Sequence, residues 1–168
     1  MKKLILALTL ATALTFAFAS PVFAALLLHR VTGGGTVLFE GWGKETYGFT
    51  AIQVDESGNA KGNVHFTWHY PSDVTGAYPW VMQADVLYLA VNASTGDAWI
   101  GGVITKSNDP SYVGQEFFIR VQDGGEGRKA SGPDMIGYTY LGYPASSALY
   151  KWTWPELFEF TNGNVQLK

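Results

Sequence analysis

The chain has no cysteine among its 168 residues. That removes disulfides, thiol nucleophiles and thiolate metal ligands at once, and leaves the domain to hold itself together by its core. Basic clusters are missing too: Lys and Arg number 11 against 14 Asp and Glu, for a formal net charge of −3. A mildly acidic surface argues against nucleic acid or anionic lipid as partner. There is no Gly-x-Ser-x-Gly elbow and no His-Glu-x-x-His, so no catalytic motif marks an enzyme. Gly33-Gly34-Gly35 lacks the Lys-Ser/Thr that would follow in a phosphate loop. Outside the N-terminus no convincing helical period appears, nor any fixed-period repeat or low-complexity linker.

What is present begins with a leader. Met1-Lys2-Lys3 precedes an apolar run from Leu4 to Phe18, and Ser20-Pro21-Val22-Phe23-Ala24 follows. Two lysines, an apolar stretch and a small-x-small ending predict a signal peptide over 1–24, cut after Ala24. Pro21 ends the run short of a comfortable membrane span. No Cys follows it, so lipid anchoring is not expected. The expectation is a secreted, extracytoplasmic protein, bacterial by its Lys-Lys leader, with one domain over 25–168. Loss of Lys2 and Lys3 makes that domain two units more negative.

The rest reads as strands and turns. Thr46 to Tyr70 forms the clearest unit, a hairpin whose second arm points Val64, Phe66, Trp68 and Tyr70 one way and Asn63, His65, Thr67 and His69 the other. The three glycines at 33–35 are expected to break a first strand, His29–Thr32, from a second, Thr36–Glu40. Further strands are expected at Val86–Asn92 (Asp85 at its edge), Ala98–Thr105 with a bulge at Gly101-Gly102, and Glu116–Gln122. Others follow at Met135–Tyr140, Leu149–Trp154 and Leu157–Thr161, with Val165–Leu167 turning back after Asn162-Gly163. About eight short strands predict an all-β fold, an antiparallel β-sandwich or a barrel-like relative of it.

Four segments carry a family resemblance: His29–Gly35, Tyr47-Gly48-Phe49-Thr50-Ala51, Gly62-Asn63-Val64-His65-Phe66 and Phe117–Asp123. Together they resemble the small exported bacterial β-domains of the post-COAP type, over nearly the whole of 25–168. The chain departs from that pattern at Asp123–Gly127, where a proline is missing, and at Thr50, where Asn is usual. The family has no assigned activity. The resemblance therefore implies fold and export and brings no catalytic residue with it.

Candidate chemistry is sparse. His65 and His69 share a strand face but lie roughly 13 Å apart, too far to ligate one zinc ion. Asp123, Glu126 and Asp134 flank a glycine-rich loop and could supply oxygens to a structural calcium, although Arg128 and Lys129 would repel a cation. Otherwise no cofactor is expected. Acid pairs such as Asp55 with Glu56, or Asp97 with Glu116, could flank a glycosidic bond in principle.

The function expected is non-catalytic binding of an extracellular glycan or a surface protein. Tyr78 and Trp80 close the loop Pro71–Pro79, and Trp152 and Trp154 would sit about 6.6 Å apart on one strand face. Alternation with Lys151 and Thr153 makes core filling the first explanation for that second pair, and leaves Trp80 as the more exposed ring. A structural or adhesive domain is the alternative, as is a small outer-membrane barrel, although several strands look short for crossing and no membrane insertion is expected after cleavage.

Overall fold

The computed structural model describes residues 28–39, 43–71, 78–125 and 131–168. The leader expected over 1–24, its cleavage site and Glu126 lie outside the described residues. The fold is all-β and antiparallel. Instead of two packed layers it is one curled sheet of ten strands, a half-barrel. The first five strands are long: β1 Arg30–Phe39, β2 Gly43–Gln53, β3 Ala60–His69, β4 Trp80–Asn92 and β5 Asp97–Ser107. The rest are shorter: β6 Glu116–Gln122, β7 Met135–Gly137, β8 Tyr140–Leu141, β9 Leu157–Glu159 and β10 Asn162–Leu167. Their order across the sheet is β10-β1-β2-β3-β4-β5-β6-β7-β9, with β8 also pairing β6.

Period-two alternation decides what lies inside the curl. Val64 and Phe66 of β3, Phe49 and Ala51 of β2, and Met82, Ala84 and Val86 of β4 are buried on the concave side. Asn63, His65, Gln83 and Asp85 are exposed on the convex side. Asp85 is thus well inside β4, which starts six residues earlier than expected; its carboxylate costs nothing there because it faces water. Phe66 and Phe117 are fully buried, each contributing about 1.5–3 kcal/mol.

The three glycines do not break β1. Gly33 and Gly35 sit mid-strand on the concave side, where a Cβ would meet the Phe49 ring at 2.8 Å and the Phe160 ring at 2.6 Å. The missing side chains make room for those two rings in a tightly curled sheet. At the Gly101-Gly102 step the expected bulge is present, but the extra residue is Leu87 on β4 opposite.

Closure is the unexpected part. β9 and β10 lie at opposite ends of the strand order, yet only Phe160 and Thr161 separate them in the chain. The ends of the sheet must therefore meet. β10 does not turn back onto β9; it pairs with β1, with Arg30 and Lys168 exchanging both backbone hydrogen bonds at 2.8 Å. Alternation then aims the Val165 and Leu167 amides away from β1. Two carboxylates receive them: Asp134 Oδ2 accepts from Val165 N at 2.6 Å, and Asp123 Oδ2 from Leu167 N at 2.8 Å. Asp134 Oδ1 also accepts from Gly124 N and Asp123 Oδ1 from Gly125 N.

Asp134→Ala should strand the Val165 and Gly124 amides and destabilise the fold by about 2 kcal/mol. Hydrogen exchange at the Val165 amide should quicken in step. Undiminished protection there would mean that the carboxylate does not hold β10.

Candidate functional site

The convex face carries a second, smaller core over β4, β5 and β6. Phe118 and Trp99 point outward from their strands but are buried, because the 3-10 helix Ala145–Tyr150 covers them with Ala148. Small residues allow the close approach. Gly101 lies against Ala145 O, where a Cβ would stand 1.9 Å away. Glu116 Oε2 accepts from Ala145 N at 2.7 Å and anchors the helix start.

Beyond this helix the chain does not form the expected strand at Leu149–Trp154. Lys151 turns it with φ 51° and ψ 44°, and an irregular segment follows across the sheet. Its backbone is tied down from below. Trp99 Nε1 donates to Trp152 O at 2.8 Å, and Arg120 Nη1 donates to Thr153 O at 2.9 Å and Pro155 O at 3.3 Å. Asp97 holds that guanidinium through Nε at 2.9 Å and Nη2 at 2.7 Å, and the cation lies 5.7 Å from the Trp99 ring. A half-buried, planar, forked donor suits these several carbonyl and carboxylate acceptors at once.

So tethered, the segment presents rings. Trp152 and Trp154 come together with centroids 5.9 Å apart, joined by Tyr140 at 4.8 Å from Trp154 and by Tyr143 at 6.5 Å from Trp152. Tyr150 stacks on Trp152 at 5.6 Å. Phe118 supports Tyr140, Trp152 and Trp154 from beneath. Tyr150 is 69% exposed, Trp154 53% and Tyr143 42%. Burial pushes the Tyr140 phenol above its ordinary range, with Tyr138, Glu156 and Tyr143 adding to the effect, so it stays a neutral donor.

The other proposed pair lies elsewhere. Tyr78 is 83% exposed. Trp80, expected to be the more open ring, is half-buried with its edge on Phe66 at 6.1 Å and Tyr112 at 4.3 Å. Packing of β4 against the concave core takes it there. Tyr78 and Trp80 line a groove of about 280 Å³ with Tyr70, Asn108, Asp109 and Tyr112. They share no ring contact with Trp152 or Trp154, so the four residues make two surfaces.

The acid pairs find other employment. Asp97 lies opposite Gln122 and Glu116 opposite Val103, six residues along the ladder, which is roughly 20 Å and beyond the widest glycosidase pair of about 9.5 Å. Asp55 accepts from Ser57 Oγ and from Asn59 N and Nδ2, which hold its carboxyl below the usual range. Of the calcium candidates, Asp123 and Asp134 each already accept two backbone amides, a competing role for any cation. Among the described residues no three His, Asp or Glu side chains are grouped for a metal.

Sequence reasoning missed Tyr140, Tyr143, Tyr150 and the tether Arg120. The signal was available in the density of rings at Tyr138, Tyr140, Tyr143, Tyr150, Trp152 and Trp154 around a segment with no period of its own.

One buried acid stands apart from this face. Glu45 lies inside the curl, 4% exposed, accepting from the Tyr47 hydroxyl. Burial raises its pKa to about 7, and the Tyr47 hydrogen bond opposes this only in part. Since the folded value exceeds the unfolded one, the native state holds the extra proton. Its stabilisation is complete below about pH 4.5 and is lost as pH rises through about 7, on the order of 3 kcal/mol in all. Glu45→Gln should flatten the fall in melting temperature between pH 5 and 9; equal slopes in the two proteins would refute this.

Arg120→Lys keeps the charge beside Asp97 but loses the fork. The tryptophan emission should shift to the red as Trp152 and Trp154 loosen, and a parent-like spectrum would show that the tether is dispensable. No family profile, characterised protein or solved structure matches the chain, so its function must be argued from its own residues.

Proposed function

We propose that this protein is a non-catalytic binding module that holds a neutral glycan on the convex aromatic platform of Tyr140, Tyr143, Tyr150, Trp152 and Trp154. One observation carries the reading: large rings stand in solvent, outside the main core, on a segment fastened by Arg120 and Trp99. Rings held still in advance lose little entropy when a sugar face settles on them. The tyrosine hydroxyls rim the patch with donors, which suits a polyhydroxylated partner better than an aliphatic protein surface.

Charge narrows the class. An acidic chain repels uronic-acid or sulfated polymers, so neutral hexose or pentose chains fit best. The leader expected over 1–24 and the resemblance to exported post-COAP β-domains would agree with a partner outside the cytoplasm. The membrane-barrel alternative fits less well. The polar face is convex and the oily one concave, the reverse of what lipid requires.

Titration with a panel of neutral polysaccharides, read by tryptophan fluorescence, tests the proposal. At least one polymer should quench the emission, and Trp154→Ala should weaken that binding about five- to tenfold. Trp80→Phe should leave it unchanged. Loss of the response in Trp80→Phe would move the site to the Tyr78 groove, and silence across the panel would end the glycan reading.

A further inference from the structure

A pocket of about 260 Å³ opens beside the platform, between the β2–β3 turn, the end of β4 and the last turn of the 3-10 helix. Its walls include Gln53, Glu56, Ser57, Leu89, Leu149 and Lys151. Two of them are odd. Gln53 is buried, and its Nε2 donates to Asp55 O at 2.8 Å, but its Oε1 has no donor among the described residues. An uncompensated buried acceptor of this kind is rare in a folded protein. Lys151 is the one non-glycine among the described residues with a positive φ. A lysine in that region carries strain that glycine would not, and such strain gathers at functional sites.

The same conformation explains what Lys151 does. It sends Tyr150 and Trp152 to one side, stacked 14° from parallel, and turns the ammonium back to Val91 O at 2.7 Å. One of its three N–H groups is used there, which leaves two donors for the pocket. Glu56, exposed at the mouth, is an acceptor. Leu149 supplies an apolar wall. The set within reach of a ligand is a carboxylate, an ammonium and a greasy side, in a volume just under the usual small-molecule range of about 300–1,000 Å³. That is room for a single sugar ring, whose hydroxyls both donate and accept.

We propose that this pocket takes the terminal ring of a neutral glycan whose next rings lie over Tyr150, Trp152 and Trp154. The inference rests on the platform reading and adds polarity to it: the module binds chain ends. A platform alone would grip the interior of a polymer as well as its tip. With the pocket, short chains, rich in ends for their mass, bind best.

The test compares the parent protein with Lys151→Gly, Glu56→Gln and Trp154→Ala by isothermal titration calorimetry. The probes are hexasaccharides of β-1,4-glucan, α-1,4-glucan, xylan and mannan, alongside their parent polymers. Lys151→Gly removes the ammonium while easing the backbone, so it should fold; an unchanged melting temperature and emission spectrum check that the platform is intact. For the hexasaccharide that binds, both pocket variants should lose about tenfold in affinity, the effect of removing a charged hydrogen bond. Their response to the polymer interior should persist, whereas Trp154→Ala should weaken both. Parent-like hexasaccharide affinity in Lys151→Gly and Glu56→Gln, with loss only in Trp154→Ala, overturns the end-binding pocket and leaves the platform standing. If no probe binds the parent protein, the platform falls and the pocket with it.

Discussion

A curled sheet has two ends, and everything else in this structure depends on how they are joined. A ladder would join them by backbone pairing. Here Asp123 and Asp134 do it with side chains, taking the amides of Leu167 and Val165 that face away from β1. A carboxylate accepting backbone N–H groups makes stronger bonds than a carbonyl would. It also needs no matching register, so β6 and β7 can approach β10 without lying beside it as a neighbouring strand. The concave core from Val31 to Val165 is sealed as a consequence.

The convex face obeys a different constraint. An antiparallel sheet can leave its outer face to water, and most of this one does so. Over β4, β5 and β6 it cannot, because Trp99 and Phe118 put large rings on that side. The 3-10 helix and the segment behind it cover those rings, and covering them creates a new outer surface made of further rings. The Arg120–Asp97 pair fixes that surface from below. Arg120 thus fixes the ring-bearing segment through its contacts, while the buried Glu45 belongs to the core and lies apart from that segment.

Much of the architecture was legible. Strict alternation placed Val64, Phe66 and Trp68 of β3 correctly, although Tyr70 lies beyond the strand and is exposed, and Phe117, Ile119 and Val121 were assigned inward for the same reason. Alternation reads a face, however, and not a neighbour. It could not tell that Val165 and Leu167 belong beside β1, since pairing between chain ends leaves no local trace. Gly33-Gly34-Gly35 misled because glycine weakens a strand in isolation; only the Phe49 and Phe160 rings reveal why this strand needs it. Trp152 and Trp154 were named as candidates on strand geometry that does not exist. They meet because Lys151 turns the chain and Arg120 holds it, and neither effect has a periodic signature.

By itself the sequence determined the all-β class, the inward set of apolar residues and the absence of thiol chemistry, because each follows from side-chain type and period two. Tertiary structure alone decided that the sheet is single and curled, that Asp123 and Asp134 fasten β10, and that five rings converge on the convex face. Those outcomes depend on contacts between residues far apart in the chain, whose joint positions no local pattern encodes.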